Sequence, residues 1–348
     1  MVRVFINGYG NIGRRLASAF SHDKEIQFVG IGKYSIDDKL DEAFAKKFPV
    51  YVPEGKIREF RQKGYDISGT ITDAIKSSDL VIDAAKEGFG YRNKVNYYVP
   101  LNKPAIFQGG EDRSGENKVA DIIHNSRVNY DKVANQKYVI QGSCNVSGMG
   151  RIMQPMIEKF GDKIKRYDVT LIRRWADLED TKEVKDSIEW DKNPHHQDDV
   201  KSFLPSVKLY VEAYKVPSRM MHLHQMVIRF SDKVPNFDSL SDIYNDEFGV
   251  AVLSKAKGTA DIRLKAREFG FEHDDTNMVH LHEETMRKSD DTLKILYSDD
   301  QTGIVIPENH LLFQSMMFGR PKKEAYERTD SLFQIKKKRD MLVKQFGS

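Results

Sequence analysis

The chain has 348 residues, of which 39% are hydrophobic and 31% charged, and its formal net charge is +3. This balance is typical of a soluble globular protein of about two domains and excludes an intrinsically disordered chain. Because the basic and acidic residues nearly cancel, we expect no nucleic-acid partner. No apolar run is long enough to span a bilayer, so we expect no membrane partner and a cytoplasmic location.

The first elements in the chain are a strand, a glycine turn and a helix. The β-rich run Val2–Asn7 is followed by Gly8, Gly10 and Gly13 and by a helical segment, Arg14–Phe20. Three glycines at this spacing match a dinucleotide-binding fingerprint, in which they allow a tight turn, close approach of the backbone to a pyrophosphate, and helix packing. The helix N-terminus would then face the phosphates.

A lysine follows the second predicted strand, Ile26–Ile31. NAD-selective sites usually carry a carboxylate there, which holds the ribose 2′-hydroxyl. Lys33 would instead attract a 2′-phosphate, so it predicts a preference for NADP over NAD. The alternative is that Lys33 is an ordinary solvated lysine.

Strands and helices alternate over the first part of the chain, with further predicted strands at Leu80–Ala84, Ala105–Phe107 and Tyr138–Gln141. This pattern predicts an α/β fold with a Rossmann-type doubly wound parallel sheet, forming a dinucleotide-binding domain over residues 1–142. Longer β-rich runs then predict a mixed α+β catalytic domain over residues 143–305; they are Tyr167–Arg173, Lys208–Val216 and Met221–Phe230. We expect an amphipathic surface helix within about 306–348 to pack back on the first domain.

The chain has one cysteine, Cys144, which excludes an intramolecular disulfide framework and a multi-cysteine metal site. Ser143, Cys144 and Asn145 precede a helical stripe of apolar residues that ends at Phe160. A helix N-terminus favours an anion, so we expect a stabilised Cys144 thiolate, and Asn145 would orient the oxygen of an attacked carbonyl. The alternative is an inert buried cysteine.

The strand-like segment MHLH places His222 and His224 on one face, where one of them could serve as a base for Cys144. The rival reading is a metal pair completed by the group His280, His282 and Glu283. Because the usual signature of a catalytic metal is absent, we expect no metal.

Two further polar pairs follow Cys144. Arg173 and Arg174 end a predicted strand and either bind phosphate or form salt bridges with Asp177 or Asp180. His195 and His196 form a polar loop pair.

Several motifs occur in one order along nearly the whole chain: GYGNIG, FQGGE, SCN, RRWAD, NPHHQDD, MHLH and VIPEN. In kind, order and spacing they resemble the archaeal, class II glyceraldehyde-3-phosphate dehydrogenases. The resemblance implies a phosphorylating oxidoreductase of glycolysis or gluconeogenesis. Such an enzyme converts D-glyceraldehyde 3-phosphate, inorganic phosphate and NAD(P)+ to 1,3-bisphosphoglycerate and NAD(P)H through a cysteine thioester. It also implies a homotetramer.

Carried over by residue, the resemblance makes Cys144 the nucleophile, His222 its general base and His224 a supporting residue. It assigns dinucleotide contacts to Asn11, Ile12, Gly110, Arg174 and Gln301. It places Ser143, Asn145, His195 and His196 along the substrate, with Arg173 beside them.

The chain departs from the family pattern at Val146 and Ser147, where the family has two threonines, and at Gln197 and Asp198, where it has Gly-Pro. We expect activity to survive while phosphate binding or substrate preference shifts. A related semialdehyde or acyl-phosphate reductase, and a non-catalytic dinucleotide-binding protein on the same fold, stay open as alternatives.

Overall fold

The computed structural model describes residues 1–347 and divides into two compact units. The first comprises residues 1–124, 130–143 and 309–325, and the second comprises residues 125–129, 144–308 and those from 326 onward. The first unit contains a parallel α/β sheet and the second a mixed sheet, which confirms the predicted fold class. No helix in residues 1–347 combines the length and apolar character needed to cross a membrane.

Eight parallel strands form the sheet of the first unit, in the order β4-β3-β2-β1-β5-β6-β8-β7. The strands are β1 Val2–Asn7, β2 Ile26–Gly32, β3 Val50–Val52, β4 Gly69–Thr70, β5 Leu80–Asp83, β6 Ala105–Phe107, β7 Ile123–His124 and β8 Tyr138–Gln141. The helices between them are α1 Asn11–Ser21, α2 Asp38–Ala45, α3 Ile57–Gln62, α4 Ile71–Ser77 and α5 Gly90–Asn93.

The strand order of this sheet reverses between β1 and β5. From β1 the chain moves outward through β2, β3 and β4, and it returns to the other side of β1 with β5. In sheets of this kind, ligands bind beyond the carboxyl ends of the strands at the point of reversal. The residues that follow Asn7 and Asp83, which are register partners, therefore occupy the expected ligand position.

The second unit is built on a seven-stranded sheet with the order β10-β11-β9-β12-β15-β14-β13. Its strands are β9 Ile164–Arg174, β10 Glu189–Trp190, β11 Leu209–Val216, β12 His222–Phe230, β13 Val250–Leu253, β14 Val279–Ser289 and β15 Thr292–Asp299. Its helices are α6 Ser126–Asn129, α7 Cys144–Phe160, α8 His196–Phe203, α9 Ser241–Tyr244, α10 Thr259–Glu268 and α13 Ile335–Phe346. Helices α11 Val305–Phe318 and α12 Lys322–Phe333 contribute residues to both units.

Strand β12 alternates strictly between buried and partly buried residues from His222 to Phe230. A strand with one covered face shows this period of two. His222 and His224 both belong to the buried set, which they share with Met226 and Ile228. The sequence prediction that both imidazoles lie on one face is thus confirmed.

The C-terminal segment forms three helices, α11, α12 and α13, and not the single helix expected within about 306–348. The breaks fall at Gly319–Pro321, where Gly319 has φ +55°, and at Gln334, which adopts the left-handed conformation. Helix α13 is not a surface helix throughout, because Leu342 and Phe346 join a buried cluster of the second unit with Leu253.

A buried ion pair ties α7 to the start of α11. Arg151 Nη2 lies 2.6 Å from Glu308 Oε1, and both side chains are almost fully buried. Glu308 also accepts hydrogen bonds from the backbone N–H and the hydroxyl of Ser126, each 2.9 Å long. The glutamate of the VIPEN motif therefore has a structural role in the second unit.

We expect Glu308→Leu to lower the free energy of unfolding by about 3–5 kcal/mol, because it leaves the Arg151 guanidinium buried without a counter-charge. Chemical denaturation monitored by circular dichroism measures this change. Glu158→Leu is the matched control: Glu158 pairs with Arg127 but is half exposed, so its loss should change stability by about 1 kcal/mol or less. Equal denaturation midpoints for Glu308→Leu and Glu158→Leu would contradict a structural role for the Arg151–Glu308 ion pair.

Candidate active site

The loop between β1 and α1 has no room for a side chain at Gly8 or Gly13, but it leaves open space beside Gly10. Gly8 has φ +119°, and a Cβ there would lie 2.4 Å from the carbonyl oxygen of Ala84. A Cβ at Gly13 would lie 2.0 Å from the oxygen of Gly8. Nothing lies within 4 Å of a Cβ built on Gly10, and no side chain caps α1, whose first turn contains Asn11 and Ile12. These features fit a diphosphate placed against the helix N-terminus.

Buried polar side chains fix the strand ends beneath this loop. Asn7 donates to the Tyr98 hydroxyl at 2.7 Å, and that hydroxyl donates to the Asp83 carboxylate at 2.6 Å. The Tyr34 hydroxyl donates to the side-chain oxygen of Asn7 at 2.9 Å. Burial raises the pKa of Asp83, whose carboxyl also accepts from Asn93. The carboxyl ends of β1, β2 and β5 are therefore held in register.

Lys33 is buried and paired, so the alternative of an ordinary solvated lysine is wrong. Its Nζ lies 2.6 and 2.7 Å from the two carboxylate oxygens of Asp37. Asp37 also caps α2 by accepting the N–H of Lys39. The Lys33 side chain is 5% exposed and that of Asp37 is 38% exposed. The more accessible charge beyond β2 is therefore the negative one.

The FQGGE segment forms a loop after β6. Gly110 has φ +110° and lines a cavity of about 380 Å³ together with Glu111. Glu111 accepts the backbone N–H groups of Gly88 and Gly90. A Cβ at Gly109 would lie 2.6 Å from the backbone of Ser143, so this glycine permits close approach to the residue before Cys144. Gly109 was not among the predicted site residues, although the paired glycines of FQGGE are a visible signal.

Cys144, His222 and Asp299 form a compact cluster in the second unit. Cys144 is the first residue of α7 and is partly exposed. His222 and Asp299 face each other as register partners on β12 and β15. The sulfur, an imidazole nitrogen and a carboxylate oxygen all lie within 4.8 Å of one another. The structure thus brings together the two predicted catalytic residues and adds a carboxylate that sequence reasoning did not identify.

Backbone N–H groups of β9 bind both imidazoles. Arg174 N donates to His222 Nδ1 at 3.1 Å, and Ile172 N donates to His224 Nδ1 at 3.2 Å. The Nδ1 atom of each ring is therefore an acceptor, and its Nε2 atom is left for other contacts. Burial lowers the pKa of His222 well below its usual value, and His224 lowers it further. His222 is therefore neutral before a substrate binds.

The surroundings of Cys144 raise the pKa of its thiol and do not lower it, as a stabilised thiolate would require. Burial raises its pKa well above the usual value, and the negative charge of Asp299 raises it further. Arg174 and the N–H of Asn145 act in the opposite direction but are weaker. Desolvation of the sulfur outweighs the partial positive charge at the start of α7. A group that takes up the thiol proton is consequently needed when the sulfur attacks.

Arg173 and Arg174 each form an ion pair. Arg174 pairs with Asp177, which was one of the alternatives left open by the local sequence, and Arg173 Nη2 lies 3.3 Å from Asp191. Gln301 donates to the same Asp177 carboxylate at 3.4 Å. In residues 1–347, the buried Nε of each arginine has no hydrogen-bond partner. Each guanidinium is therefore only partly satisfied by its ion pair.

The paired histidines differ in environment. Their rings stack with centroids 4.2 Å apart. The exposed His195 binds Asp199 at 2.7 Å, and this hydrogen bond raises its pKa. Burial lowers the pKa of His196 to about 2, and its Nε2 lies 3.0 Å from Asn145 Nδ2, which donates to it. Asn145 is thus oriented by His196 beside the cysteine.

The four residues that depart from the family pattern differ in burial. Val146 and Ser147 are buried in the first turns of α7, where their carbonyls accept from Asn125. Gln197 accepts the backbone N–H of Val211 at 3.3 Å, while Asp198 is exposed.

The metal group considered in the sequence analysis is not assembled. His282 binds the Ser298 hydroxyl at 3.0 Å, and Glu283 accepts the backbone N–H of Leu240. Across the described residues, the one group with three ligand atoms close together is Cys144, His222 and Asp299.

Comparisons with known proteins place the chain in a family. No protein-family model matches it. It is 32% identical to the glyceraldehyde-3-phosphate dehydrogenase of Pyrobaculum arsenaticum over 96% of this chain and 98% of that protein. The same-named proteins of Thermoplasma volcanium and Saccharolobus islandicus are 31% and 33% identical, over 97% and 89% of this chain and 99% and 91% of theirs. The chain therefore belongs to the glyceraldehyde-3-phosphate dehydrogenase family of oxidoreductases.

Proposed function

We propose that the protein is a phosphorylating, nicotinamide-dependent glyceraldehyde-3-phosphate dehydrogenase in which Cys144 is the nucleophile. The observation that carries this proposal is the cluster of Cys144, His222 and Asp299 at the start of α7. Asn145, fixed by His196, stands next to the sulfur as a donor for the oxygen of an attacked carbonyl. The glycine loop and the family membership support the cofactor class.

In the proposed cycle the Cys144 sulfur forms a bond to the aldehyde carbon of glyceraldehyde 3-phosphate while its S–H bond breaks, and the proton passes to His222, the proposed general base. The resulting oxyanion accepts hydrogen bonds from donors beside the cysteine, among them Asn145 and His222. A nicotinamide dinucleotide, when bound, would supply the oxidant that accepts a hydride from this carbon. Cys144 then carries a thioester, which inorganic phosphate cleaves to 1,3-bisphosphoglycerate.

The residues proposed to hold the cofactor come from the fold and from the resemblance. Gly8, Gly10 and Gly13, with Asn11 and Ile12, would bind the diphosphate at the start of α1. Further dinucleotide contacts are proposed for Lys33, Gly110, Arg174 and Gln301. The substrate phosphate and inorganic phosphate would be bound by donors from Ser143, Arg173, His195 and His196.

The preference for NADP that Lys33 predicts remains a prediction. The Lys33–Asp37 pair opposes it, because the more exposed carboxylate repels a 2′-phosphate and accepts ribose hydroxyls. The homotetramer and the cytoplasmic location likewise stay predictions. A related semialdehyde reductase is the second candidate, since the changes at Gln197 and Asp198 lie beside the paired histidines.

We expect the purified protein to reduce NADP or NAD with glyceraldehyde 3-phosphate, and sustained turnover to require inorganic phosphate. Absorbance of the reduced nicotinamide measures the rate, and a panel with phosphate-free semialdehydes tests the second candidate. Absence of reduction with glyceraldehyde 3-phosphate in every cofactor and phosphate combination would overturn the proposal.

Cys144→Ser should lower turnover by about 10⁴-fold or more while dinucleotide affinity stays within about threefold, because a hydroxyl at this position is a far weaker nucleophile. Fluorescence titration of the cofactor provides the binding control. Turnover near the wild-type rate would exclude a covalent mechanism through this residue.

Asp37→Asn should raise the ratio of kcat/KM for NADP to that for NAD by about tenfold, since one like charge is removed near the 2′-phosphate. Asparagine can still cap α2, so the fold is retained. Asp38→Asn, one residue on, is the matched control and should leave the ratio unchanged. If the NADP to NAD ratio of kcat/KM is unchanged in Asp37→Asn, the Lys33–Asp37 pair does not face the ribose of the cofactor.

Gly10→Ala should fold with nearly wild-type stability but weaken dinucleotide binding by about tenfold or more, because the methyl fills space left for the diphosphate. Gly8→Ala should instead destabilise the protein, since its Cβ would clash with the Ala84 backbone. Thermal unfolding and fluorescence titration separate the two effects. Unaltered cofactor affinity in Gly10→Ala would argue against a diphosphate at this loop.

A further inference from the structure

We propose that Asp199 is a positioning residue, which orients the His195 imidazole and keeps it protonated as a donor to a phosphate group in the active site. This inference rests on the proposed function, because the phosphate belongs to the substrates named there. The family resemblance places His195 along the substrate but assigns no role to Asp199. The basis of the proposal is the geometry around the paired histidines.

His195 and Asp199 form a close pair on the more exposed side of α8. His195 Nδ1 lies 2.7 Å from Asp199 Oδ2. The two residues are four apart in the chain, which is the spacing of neighbouring side chains on a helix. The other side of α8 is buried through Val200 and Phe203, and the helix packs against α7 and β11. A single packed helical turn therefore sets the position of both partners.

The hydrogen bond to Asp199 decides in which form His195 can bind a phosphate. An ionised carboxylate has no hydrogen to donate, so His195 Nδ1 is the donor in this bond. A neutral imidazole with its proton on Nδ1 has only an acceptor at Nε2, and a phosphate dianion is an acceptor as well. The imidazolium has an N–H on both nitrogens. His195 can therefore donate to Asp199 and to a phosphate together only when it is protonated.

The charges around His195 favour the imidazolium. The hydrogen bond to Asp199 raises the pKa of His195, and the negative charge of Asp191 acts in the same direction. Burial and the positive charge of Arg173 act against this rise without cancelling it. The neighbouring His196 differs, because burial lowers its pKa to about 2. The cation of the histidine pair is therefore His195.

The two histidine rings have separate contacts. They stack with their planes 25° apart, which fixes the plane of the exposed ring against the buried one. His196 Nε2 accepts the side-chain N–H of Asn145. In residues 1–347 no hydrogen bond is formed by His195 Nε2, and the His195 side chain is 53% exposed. The buried ring thus orients Asn145, while the exposed ring has a nitrogen left for a ligand.

Arg173 supplies a second cation beside His195. Its charge acts on the His195 ring, and its Nη2 lies 3.3 Å from an oxygen of Asp191. Two neighbouring cations repel each other, and this repulsion opposes the protonation of His195. The carboxylates of Asp191 and Asp199, one for each cation, offset the repulsion before an anion binds. A phosphate dianion is then attracted by both cations.

Kinetics of Asp199→Asn test the role of the carboxylate. Asparagine keeps the size of the side chain and an acceptor oxygen but removes the charge. We expect KM for glyceraldehyde 3-phosphate or for inorganic phosphate to rise about tenfold at about pH 8, with kcat within about threefold of wild type. The substrate whose KM rises identifies the phosphate that His195 binds. Asp198→Asn is the matched control, because Asp198 lies in the same turn of α8 but is exposed.

The pH dependence of KM separates this role from a merely structural one. Since Asp199 raises the pKa of His195, the wild-type imidazolium persists to higher pH than that of Asp199→Asn. The ratio of the two KM values should be largest at about pH 8 and fall toward one at about pH 5.5, where both rings are protonated. Ionisation of the phosphate group is common to both proteins and cancels in this ratio. An increase in KM that is equal at every pH would overturn the proposal.

Phosphate binding without turnover provides a second test. Isothermal titration calorimetry with glycerol 3-phosphate, which has no aldehyde, and with inorganic phosphate measures affinity directly. For at least one probe, Asp199→Asn should bind about tenfold more weakly than wild type at about pH 8. The same substitution added to His195→Gln should cause no further loss, because the carboxylate then has no imidazolium to support.

The outcomes distinguish this inference from the proposed function. A wild-type protein without dehydrogenase activity removes the proposed function, and the titration then still decides the role of Asp199. Unchanged affinity of Asp199→Asn for both probes, no binding of either probe to the wild type, or an equal loss in the His195→Gln background overturns the inference. A pH-dependent rise in KM that is absent from Asp198→Asn, with a loss of affinity that requires His195, supports it.

Discussion

Two hydrogen bonds between neighbouring strands determine the chemistry of the site. Backbone N–H groups of Ile172 and Arg174 donate to the Nδ1 atoms of His224 and His222, which fixes ring orientation and tautomer together. Ile172 and Arg174 are two residues apart on β9, and His224 and His222 are two residues apart on the antiparallel neighbour β12. The register of the two strands therefore allows both hydrogen bonds to form. The Nε2 atoms of both imidazoles are thereby left for other contacts, and that of His224 lies 3.2 Å from Asp299 Oδ2.

The electrostatics of the cluster follow from this constraint. Cys144, the two imidazoles and the Asp299 carboxylate lie close together, and desolvation raises the pKa of Cys144 and lowers that of His222. The start of α7 alone does not generate a thiolate, since desolvation and the Asp299 charge raise the cysteine pKa.

Features encoded within a few residues could be predicted from the sequence. Strand β1, the glycine loop and the position of Cys144 before a helix all depend on local patterns, and the structure contains each of them. Lys33 was visible but ambiguous, because the sequence could not show that Asp37, four residues on, would neutralise it. Asp299 could not be identified at all. Its role depends on the pairing of β12 with β15, which no local pattern specifies.

The most direct test of the account is mass spectrometry of the enzyme after acid quenching, following incubation with glyceraldehyde 3-phosphate and oxidised dinucleotide but no phosphate. We expect the peptide containing Cys144 to carry the 3-phosphoglyceroyl group, and inorganic phosphate added before the quench to remove it. Reduced dinucleotide formed in stoichiometric amounts with an unmodified Cys144 peptide would contradict a thioester at this residue.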